Sequence, residues 1–334
     1  MPTLPDPPPL HDLTWRPWTL DDADALARHM LRVDAAERLE SVSGAELYRW
    51  LLGQDGFDPA TDSLAGFDAS GEVRAEVKVW APRTDAGARA FIWLDAAPPA
   101  TDLRPFLIAW GEARSRQILE AIDPALERVI RVGAEEHRTE LRAQIEAAGF
   151  PPARSWVVMR RALSPLPPAP ALPEGVRIEP WSAAFEEAAR LASNEAFADH
   201  WGSQPMTPEM WQGIYRNSEV FRPDLSFLAV AGDEVVALCL AEVSEENNVN
   251  RGSAEVYIDR VGTRRSHRRS GIASHLVVRT LAAAASTGLE VAALDVDETS
   301  HTQATTVYRR LGFEVTERSI TYVKTVDRAD RPEG

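Results

Sequence analysis

The chain has 334 residues, of which 44% are hydrophobic, so it is long enough for two ordinary domains and can supply two packed cores. A formal charge of −15 argues against partners that need a basic surface, and we therefore expect no nucleic acid and no anionic membrane to bind. No run of apolar residues is long enough to span a bilayer, no secretory signal is visible, and Cys239 is the single cysteine, which together predict a protein of the reducing cytoplasm.

The chain begins with residues 1–12, a proline-rich segment that we expect to be a flexible arm. Leu13 to Met30 then predicts a short strand, an acidic cap and an amphipathic helix. Arg177 to Ala192 shows the same order of elements, and Pro180-Trp181 repeats Pro17-Trp18 at an offset of 163 residues. The sequence therefore contains an internal repeat.

A second pair of matches has the same offset, since Gly312-Phe313 repeats Gly149-Phe150. Ser164 to Gly175 (SPLPPAPALPEG) lies between the copies and predicts a semi-rigid linker, because its prolines prevent a helix or a central strand. We expect one domain over residues 13–163 and another over residues 176–328. Each is expected to be an α/β (α+β) fold with a mixed, largely antiparallel sheet flanked by helices.

In the second copy, Phe227 to Ala241 predicts a hairpin that turns at Gly232-Asp233. Its apolar strand pattern VVALCLAEV predicts that Cys239 is a buried strand residue and not a reactive thiol. The next strand spans Glu255 to Thr263. Simple alternation along that strand places five side chains on one face: Glu255, Tyr257, Asp259, Val261 and Thr263.

A cationic turn, Arg264 to Gly271, follows this strand and leads into a helix whose apolar residues recur from Ile272 onward. Unpaired N–H groups at the helix N-terminus, the helix dipole and the close approach allowed by Gly271 would together form a pocket for a pyrophosphate. A solvated basic turn that happens to precede a helix is the simpler alternative.

A buried strand, EVAALDVD, comes next, and Ser300 or Thr302 can cap a short helix that carries Tyr308 and ends at Gly312-Phe313. This order of elements resembles GNAT acetyltransferases. RRSGIA (Arg268 to Ala273) stands in the place of that family's acyl-CoA pyrophosphate loop, and SHTQATTVYRRLGF (Ser300 to Phe313) stands in the place of its tyrosine helix.

The resemblance is closest to the tandem, two-copy GNAT N-acetyltransferases typified by mycothiol synthase, many of which carry a box like Asp199 to Gly202. It implies acetyl-CoA as co-substrate and no metal. Tyr308 would protonate the leaving thiolate, and Asp259 or Glu255 would act as base. The residues that would contact acetyl-CoA are Val261, Gly262, Thr263, Arg268, Arg269, Ser270, Gly271, Ile272, Ala273, Ser274 and Ser300.

The same resemblance implies that the acceptor is the amine of a small molecule and that the chain is a monomer or a homodimer. His200 and Trp201 lie where such proteins cover the acceptor, and they would either orient it or simply close the core. Two alternatives stay open: a non-catalytic regulatory or scaffold protein that binds acyl-CoA, and a transferase of longer acyl chains.

The first copy lacks the corresponding chemistry. Pro98 to Leu107 takes the place of the phosphate loop, where prolines remove amide donors and Arg104 is the cation nearby. Ile145 stands where the second copy has Tyr308. We therefore expect the first copy to be a degenerate domain that shapes the acceptor site or a dimer.

Overall fold

The computed structural model describes residues 2–39, 44–54, 56–82, 88–122, 126–203, 205–299 and 304–326. Its strands are β1 (Thr14–Arg16), β2 (Ser63–Phe67), β3 (Val73–Trp80), β4 (Ala88–Ala96), β5 (Arg128–Glu135), β6 (Pro152–Ala162), β7 (Val176–Pro180), β8 (Phe227–Ala231), β9 (Glu234–Glu242), β10 (Glu255–Thr263), β11 (Val291–Asp297) and β12 (Glu314–Thr325). Its helices are α1 (Ala23–Glu37), α2 (Ala45–Leu52), α3 (Pro59–Asp62), α4 (Arg104–Glu120), α5 (Thr139–Ala147), α6 (Glu186–Phe197), α7 (Pro208–Trp211), α8 (Glu245–Arg251), α9 (Ile272–Ser286) and α10 (Ala304–Arg310).

The chain divides into two compact units. Unit 1 consists of Met1–Ser155 and Ser319–Gly334, and unit 2 consists of Trp156–Arg318. In each unit the strand pairs are antiparallel except for one parallel pair, β4 with β5 in unit 1 and β10 with β11 in unit 2. The expected fold class, a mixed and largely antiparallel sheet flanked by helices, is confirmed.

The sheet of unit 1 has the order β1-β2-β3-β4-β5, followed by the C-terminal half of β12. Its face toward α4 buries Ile92, Leu107 and Ile130, and its opposite face packs against α1 and α2 through Trp18 and Tyr48. Alternation along the strands divides apolar side chains between the two helical layers, which is the pattern of a sheet covered on both faces.

The sheet of unit 2 has the order β12-β6-β11-β10-β9-β8-β7, to which β12 contributes its N-terminal half, residues 314–318. Helix α9 packs on the face that contains Val236, Cys239 and Ile258, and α6 packs on the opposite face with Leu238 and Leu240. The β8–β9 hairpin and the burial of Cys239 agree with the sequence predictions. Unit 2 therefore has a core on each side of its sheet.

Each unit contains a strand, or part of one, from the other half of the sequence. β6 closes the first copy in sequence but pairs with β11 from Trp156 to Ala162, and the second half of β12 pairs with β5 from Ser319 to Thr325. The unit boundaries therefore fall inside strands, whereas the expected boundary was the linker, residues 164–175, which lies within unit 2. Strand pairing accounts for this division, because seven consecutive residue pairs join β6 to β11 and another seven join β12 to β5.

Residues 2–12 contact unit 1: Leu4 packs on its core, Gln117 donates to the carbonyl of Pro2 at 2.7 Å, and His11 lies 2.6 Å from Asp102. The segment expected to be a flexible arm is thus anchored at several points.

Within the described ranges, no helix has both the length and the apolar character needed to cross a membrane.

We predict that a chain beginning at Val176 will not fold, although it contains the whole second copy. It lacks β6, so β11 loses its antiparallel partner and the core loses Val157 and Met159, both fully buried. Each buried apolar side chain contributes about 1.5–3 kcal/mol, which is a large share of the net stability of a domain. Circular dichroism and size-exclusion chromatography would test this.

As a control, residues 1–166 and 167–334 produced together should reassociate, since the cut leaves every strand intact. A cooperative thermal transition in the isolated chain from Val176 would contradict the importance of β6.

Candidate functional site

β10 and β11 separate in the middle of unit 2. Their parallel pairing runs from Glu255 with Val291 to Ile258 with Leu294, and then stops. β11 nevertheless continues to Asp297, and β10 continues to Thr263 while pairing only with β9. The backbone of β10 beyond Ile258 is therefore open on its β11 side and can hydrogen-bond an extended ligand.

A β-bulge lies at the point where the two strands separate. The register between β10 and β9 shifts between Ile258 and Arg260, so Asp259 is an extra residue on β10. A bulge bends its strand and changes the alternation of side chains beyond it. The predicted single face is therefore wrong beyond Asp259: Val261 packs on the α9 side with Ile258, whereas Asp259 reaches Tyr215 on the α6 side.

Helix α9 begins behind the open part of β10. Gly271 precedes the helix with φ of +83°, and Arg269 has φ of +61°. The backbone N–H groups of residues 269–274, which include Ser270, Ala273 and Ser274, donate to no other described residue. Backbone conformations of this kind turn successive N–H groups toward one point, and the helix dipole adds positive potential there.

The arginines of the basic turn are less available than the sequence indicated. Arg265 donates to Asp199, and Arg268 donates to the carbonyls of Ala196 at 3.0 Å and Thr263 at 3.3 Å. Arg269 is exposed and has no hydrogen-bond or ion-pair partner among the described residues. Of the two arginines predicted to bind phosphate, Arg269 is the free one and Arg268 mainly ties the turn to α6.

Three other predicted contact residues have distinct surroundings. Gly262 is buried against Ala196 and Phe197 of α6. The hydroxyl oxygen of Thr263 is buried without a hydrogen-bond partner in the described part of the chain, as expected of a group that awaits a ligand. Ile272 is a core residue, so only its backbone N–H can take part. Ser300 lies outside the described residues.

Tyr308 lies on α10 and packs on the same core as α9, with its ring 5.9 Å from that of Phe313 in an edge-to-face arrangement. Its hydroxyl forms no hydrogen bond with another described residue. Burial, and after it the neighbouring Cys239 thiol, raises the pKa of Tyr308 above its usual value. The phenol therefore carries its proton at neutral pH, and it is a weaker acid than an ordinary tyrosine.

The two carboxylates expected to act as base differ in their surroundings. Glu255 is buried and accepts a hydrogen bond from Arg160 at 2.9 Å, with Arg251 at 3.9 Å. Asp259 is exposed at the bulge and accepts from the hydroxyl of Tyr215 at 2.6 Å. Glu255 is thus held in an ion pair, and Asp259 lies at the opening of the strands.

Aromatic side chains line the region beside the end of β11. His200 and Trp201 are half-buried, with ring centroids 5.9 and 6.4 Å from that of Trp156 on β6, and Phe197 lies 5.7 Å from His200. A further ring contact involves Arg260, whose guanidinium lies 4.7 Å from the centre of Phe197. These residues form an aromatic cluster on the α6 side of the sheet.

Sequence reasoning missed four residues of this region: Trp156, Arg160, Tyr215 and Arg260. Trp156 and Arg160 precede the linker and were assigned to the first copy, so nothing in the sequence placed them here. Arg260 was placed on the opposite face because the bulge was not foreseen. Tyr215 lies in a π-helical turn, Gln212–Arg216, which has no clear sequence signal.

The corresponding region of unit 1 is filled by protein. Arg104 is 2% exposed and donates to Glu37 and to the carbonyl of Ala96. Arg138 is also buried, between Glu37 and Asp95. The β3–β4 ladder keeps a constant register from Ala75 to Trp80, without a bulge like that of β10. An anion would have to displace buried ion pairs to enter.

No group of three or more His, Cys, Asp or Glu side chains could hold a metal ion within the described ranges. The expectation that the reaction needs no metal stays a prediction.

Comparison with known proteins identifies relatives of this chain. Residues 187–313 match the Acetyltransferase (GNAT) family. A protein named mycothiol acetyltransferase from Streptomyces scabiei (strain 87.22) is 30% identical over 226 residues, which cover 67% of this chain and 71% of that protein.

Two solved structures have a similar fold. A GCN5-related N-acetyltransferase from Sphaerobacter thermophilus has a TM-score of 0.75 and 26% identity, over 98% of this chain and 99% of that one. A tandem GNAT protein from the clavulanic acid biosynthesis pathway has a TM-score of 0.67 and 15% identity, over 95% of this chain and all of that one. The second similarity concerns the fold alone.

We predict that Gly262→Ala destabilises unit 2. A Cβ atom at this position would lie 2.9 Å from that of Ala196 and 3.1 Å from the ring of Phe197, so α6 must move. Overpacking of this kind costs about 1–3 kcal/mol, which should lower the melting temperature by roughly 2–10 °C. Gly213→Ala is the control, since nothing lies within 4 Å of its added Cβ. Equal melting temperatures for the two variants would contradict the close packing of α6.

Proposed function

The chain belongs to the GNAT acetyltransferase family and is an N-acetyltransferase, and we propose that it moves the acetyl group of acetyl-CoA to the amine of a small molecule, with the catalytic site in unit 2. The opening between β10 and β11 beside the N-terminus of α9 carries this proposal. It combines an open strand backbone with unpaired N–H groups, which suits a ligand that is extended at one end and anionic at the other.

Acetyl-CoA would be held mainly by backbone groups. The N–H groups of residues 269–274 would bind its pyrophosphate, and Arg269 would add a charged contact. Val261 to Thr263 would pair with the pantetheine chain as an added strand does, and the buried Thr263 hydroxyl offers a further hydrogen bond. Gly271 supports this assignment, because its positive φ turns the N–H groups toward the ligand.

Transfer to an amine needs a base, a donor for the carbonyl oxygen and an acid for the leaving thiolate. A backbone N–H near Val261, on the open side of β10, would hold the developing oxyanion. Tyr308, which is protonated at neutral pH, would give its proton to the sulfur as negative charge develops there.

An amine acceptor fits the electrostatics of the α6 side of the sheet. Asp259 is exposed there, and His200 and Trp201 provide aromatic surface beside it. The relative named mycothiol acetyltransferase supports a small-molecule acceptor. In unit 1 the buried Arg104 and Arg138 ion pairs favour a structural role, so we assign one acetyl-CoA site to the chain.

We predict that Gly271→Glu abolishes acetyl-CoA binding, since it adds a carboxylate where the pyrophosphate binds and strains a backbone at φ +83°. Gly288→Glu is a matched control: it lies just beyond the other end of α9 with φ of +88° and open space around it. Calorimetry should show one site in wild type and in the control, and no site in Gly271→Glu. Wild-type affinity in Gly271→Glu would exclude this loop as the binding site.

We predict that Tyr308→Phe lowers the turnover number by roughly 10²- to 10⁴-fold and leaves acetyl-CoA affinity nearly unchanged, because only the proton donor is removed. The measurement is steady-state thiol release, accompanied by thermal melting to show that the variant is folded. Full activity in a well-folded variant would leave Tyr308 as a packing residue and would favour a scaffold role for the site.

A further inference from the structure

We propose that Glu242, which neither the family pattern nor the sequence pointed to, is the general base that takes a proton from the acceptor ammonium. This inference rests on the proposed N-acetyltransferase function of unit 2. It follows from the position of Glu242, from the partners of the neighbouring carboxylates and from the polarity of its surroundings.

Glu242 is the last residue of β9 and lies directly across from Tyr257 on β10. Along β9, Leu238 and Leu240 face α6, whereas Cys239 and Ala241 face α9. Alternation therefore puts Glu242 on the α6 side, the face that also carries Asp259 and the acceptor-lining aromatic residues. Tyr257 stands one residue before the last pair of β10 with β11, so Glu242 lies level with the inner end of the opening and one strand away from it, on the β9 side of β10.

The other carboxylates on this face already have partners. Glu255 is held by Arg160, Asp259 accepts from Tyr215, and Asp297 accepts from Thr299. Asp295 interacts with the hydroxyl of Tyr257 and lies near Arg160. The side chain of Glu242 forms no hydrogen bond or ion pair with another described residue. It is half-buried, so part of the side chain remains in contact with solvent.

The surroundings of Glu242 favour its neutral form. Burial, followed by the negative charge of Asp259, raises the pKa of Glu242 to about 8, and Arg260 opposes this only in part. The titratable groups that interact with it are Asp259, Arg260 and Tyr257 on β10. A base is most effective when its pKa lies near the working pH, and Glu242 meets this condition.

Every proton and electron pair of the proposed step is accounted for. The Glu242 carboxylate accepts a proton from the acceptor ammonium, directly or through one water molecule. The freed nitrogen lone pair forms a bond to the thioester carbon, and the C–S bond breaks with its electron pair leaving on sulfur, which takes the proton of Tyr308. The remaining extra proton on nitrogen passes through water to the tyrosinate, and Glu242 returns its proton to solvent.

This assignment changes the roles of the two carboxylates considered from the sequence. Glu255 would hold Arg160 in place, and Asp259 would raise the proton affinity of Glu242 through its charge. Activity should then rise with pH through about 8, because Glu242 must be ionised to act as base.

The test is Glu242→Gln in the full chain, assayed by thiol release from acetyl-CoA with two probe amines. Ethanolamine is protonated at neutral pH and needs a base, whereas hydroxylamine is largely unprotonated and does not. We expect turnover with ethanolamine to fall by roughly 10²- to 10⁴-fold and turnover with hydroxylamine to change little. The rise of wild-type activity near pH 8 should disappear. Asp295→Asn, a matched carboxylate on the same face, should keep that rise.

A second measurement needs no acceptor. Infrared spectra of protein labelled with 13C-glutamate should show a protonated carboxyl band that is lost as the pH passes about 8 and is missing in Glu242→Gln. Absence of this band in wild type, or equal loss of rate with both amines in a folded variant, would overturn the role of Glu242. Failure of the wild type to bind acetyl-CoA in calorimetry would instead reject the proposed function.

Discussion

β10 carries one residue more than its partner β9 between Ile258 and Arg260, and the geometry of the site in unit 2 depends on this bulge. The pairing of β10 with β11 ends at Ile258, where the bulge begins, and an opening forms between the two strands. The pairing of β4 with β5 in unit 1 also ends before the strands do, at Ile92, so the bulge sets which side chains face the opening and not the separation itself. The same extra residue turns Asp259 and Arg260 toward α6. Unit 1 has the parallel strand pair without a bulge at this place, and buried ion pairs of Arg104 and Arg138 fill the corresponding region.

The positive potential at the start of α9 comes more from backbone N–H groups than from the arginine cluster. Arg265 and Arg268 bond to Asp199 and to backbone carbonyls, so much of their charge is used to fix the turn against α6. The unpaired N–H groups at the start of α9 are directional and rigid, and a protein of net charge −15 can hold a polyanion there without a basic surface. The carboxylates lie on the other side of the sheet opening, which suits a cationic acceptor.

Exchange of the last strands makes the two halves of the sequence mutually dependent. Arg160 and Trp156 belong to the first copy by sequence, yet Arg160 holds Glu255 and Trp156 contacts His200 within unit 2. Unit 2 therefore requires the first copy, because that copy supplies β6.

The sequence by itself determined the tandem repeat, the hairpin at Gly232-Asp233 and the helix that begins after Gly271, since these follow from periodicity and turn chemistry between near neighbours. The mixed sheet was expected from the resemblance to GNAT acetyltransferases. The sequence also placed Tyr308 on a short helix, as the structure does. Only the tertiary structure decided which strand pairs with which half, that Val261 and Asp259 face opposite sides, and that Glu242 is a carboxylate without a partner among the described residues. Strand exchange, a bulge and a raised pKa arise from contacts between residues far apart in sequence, and no local pattern encodes them.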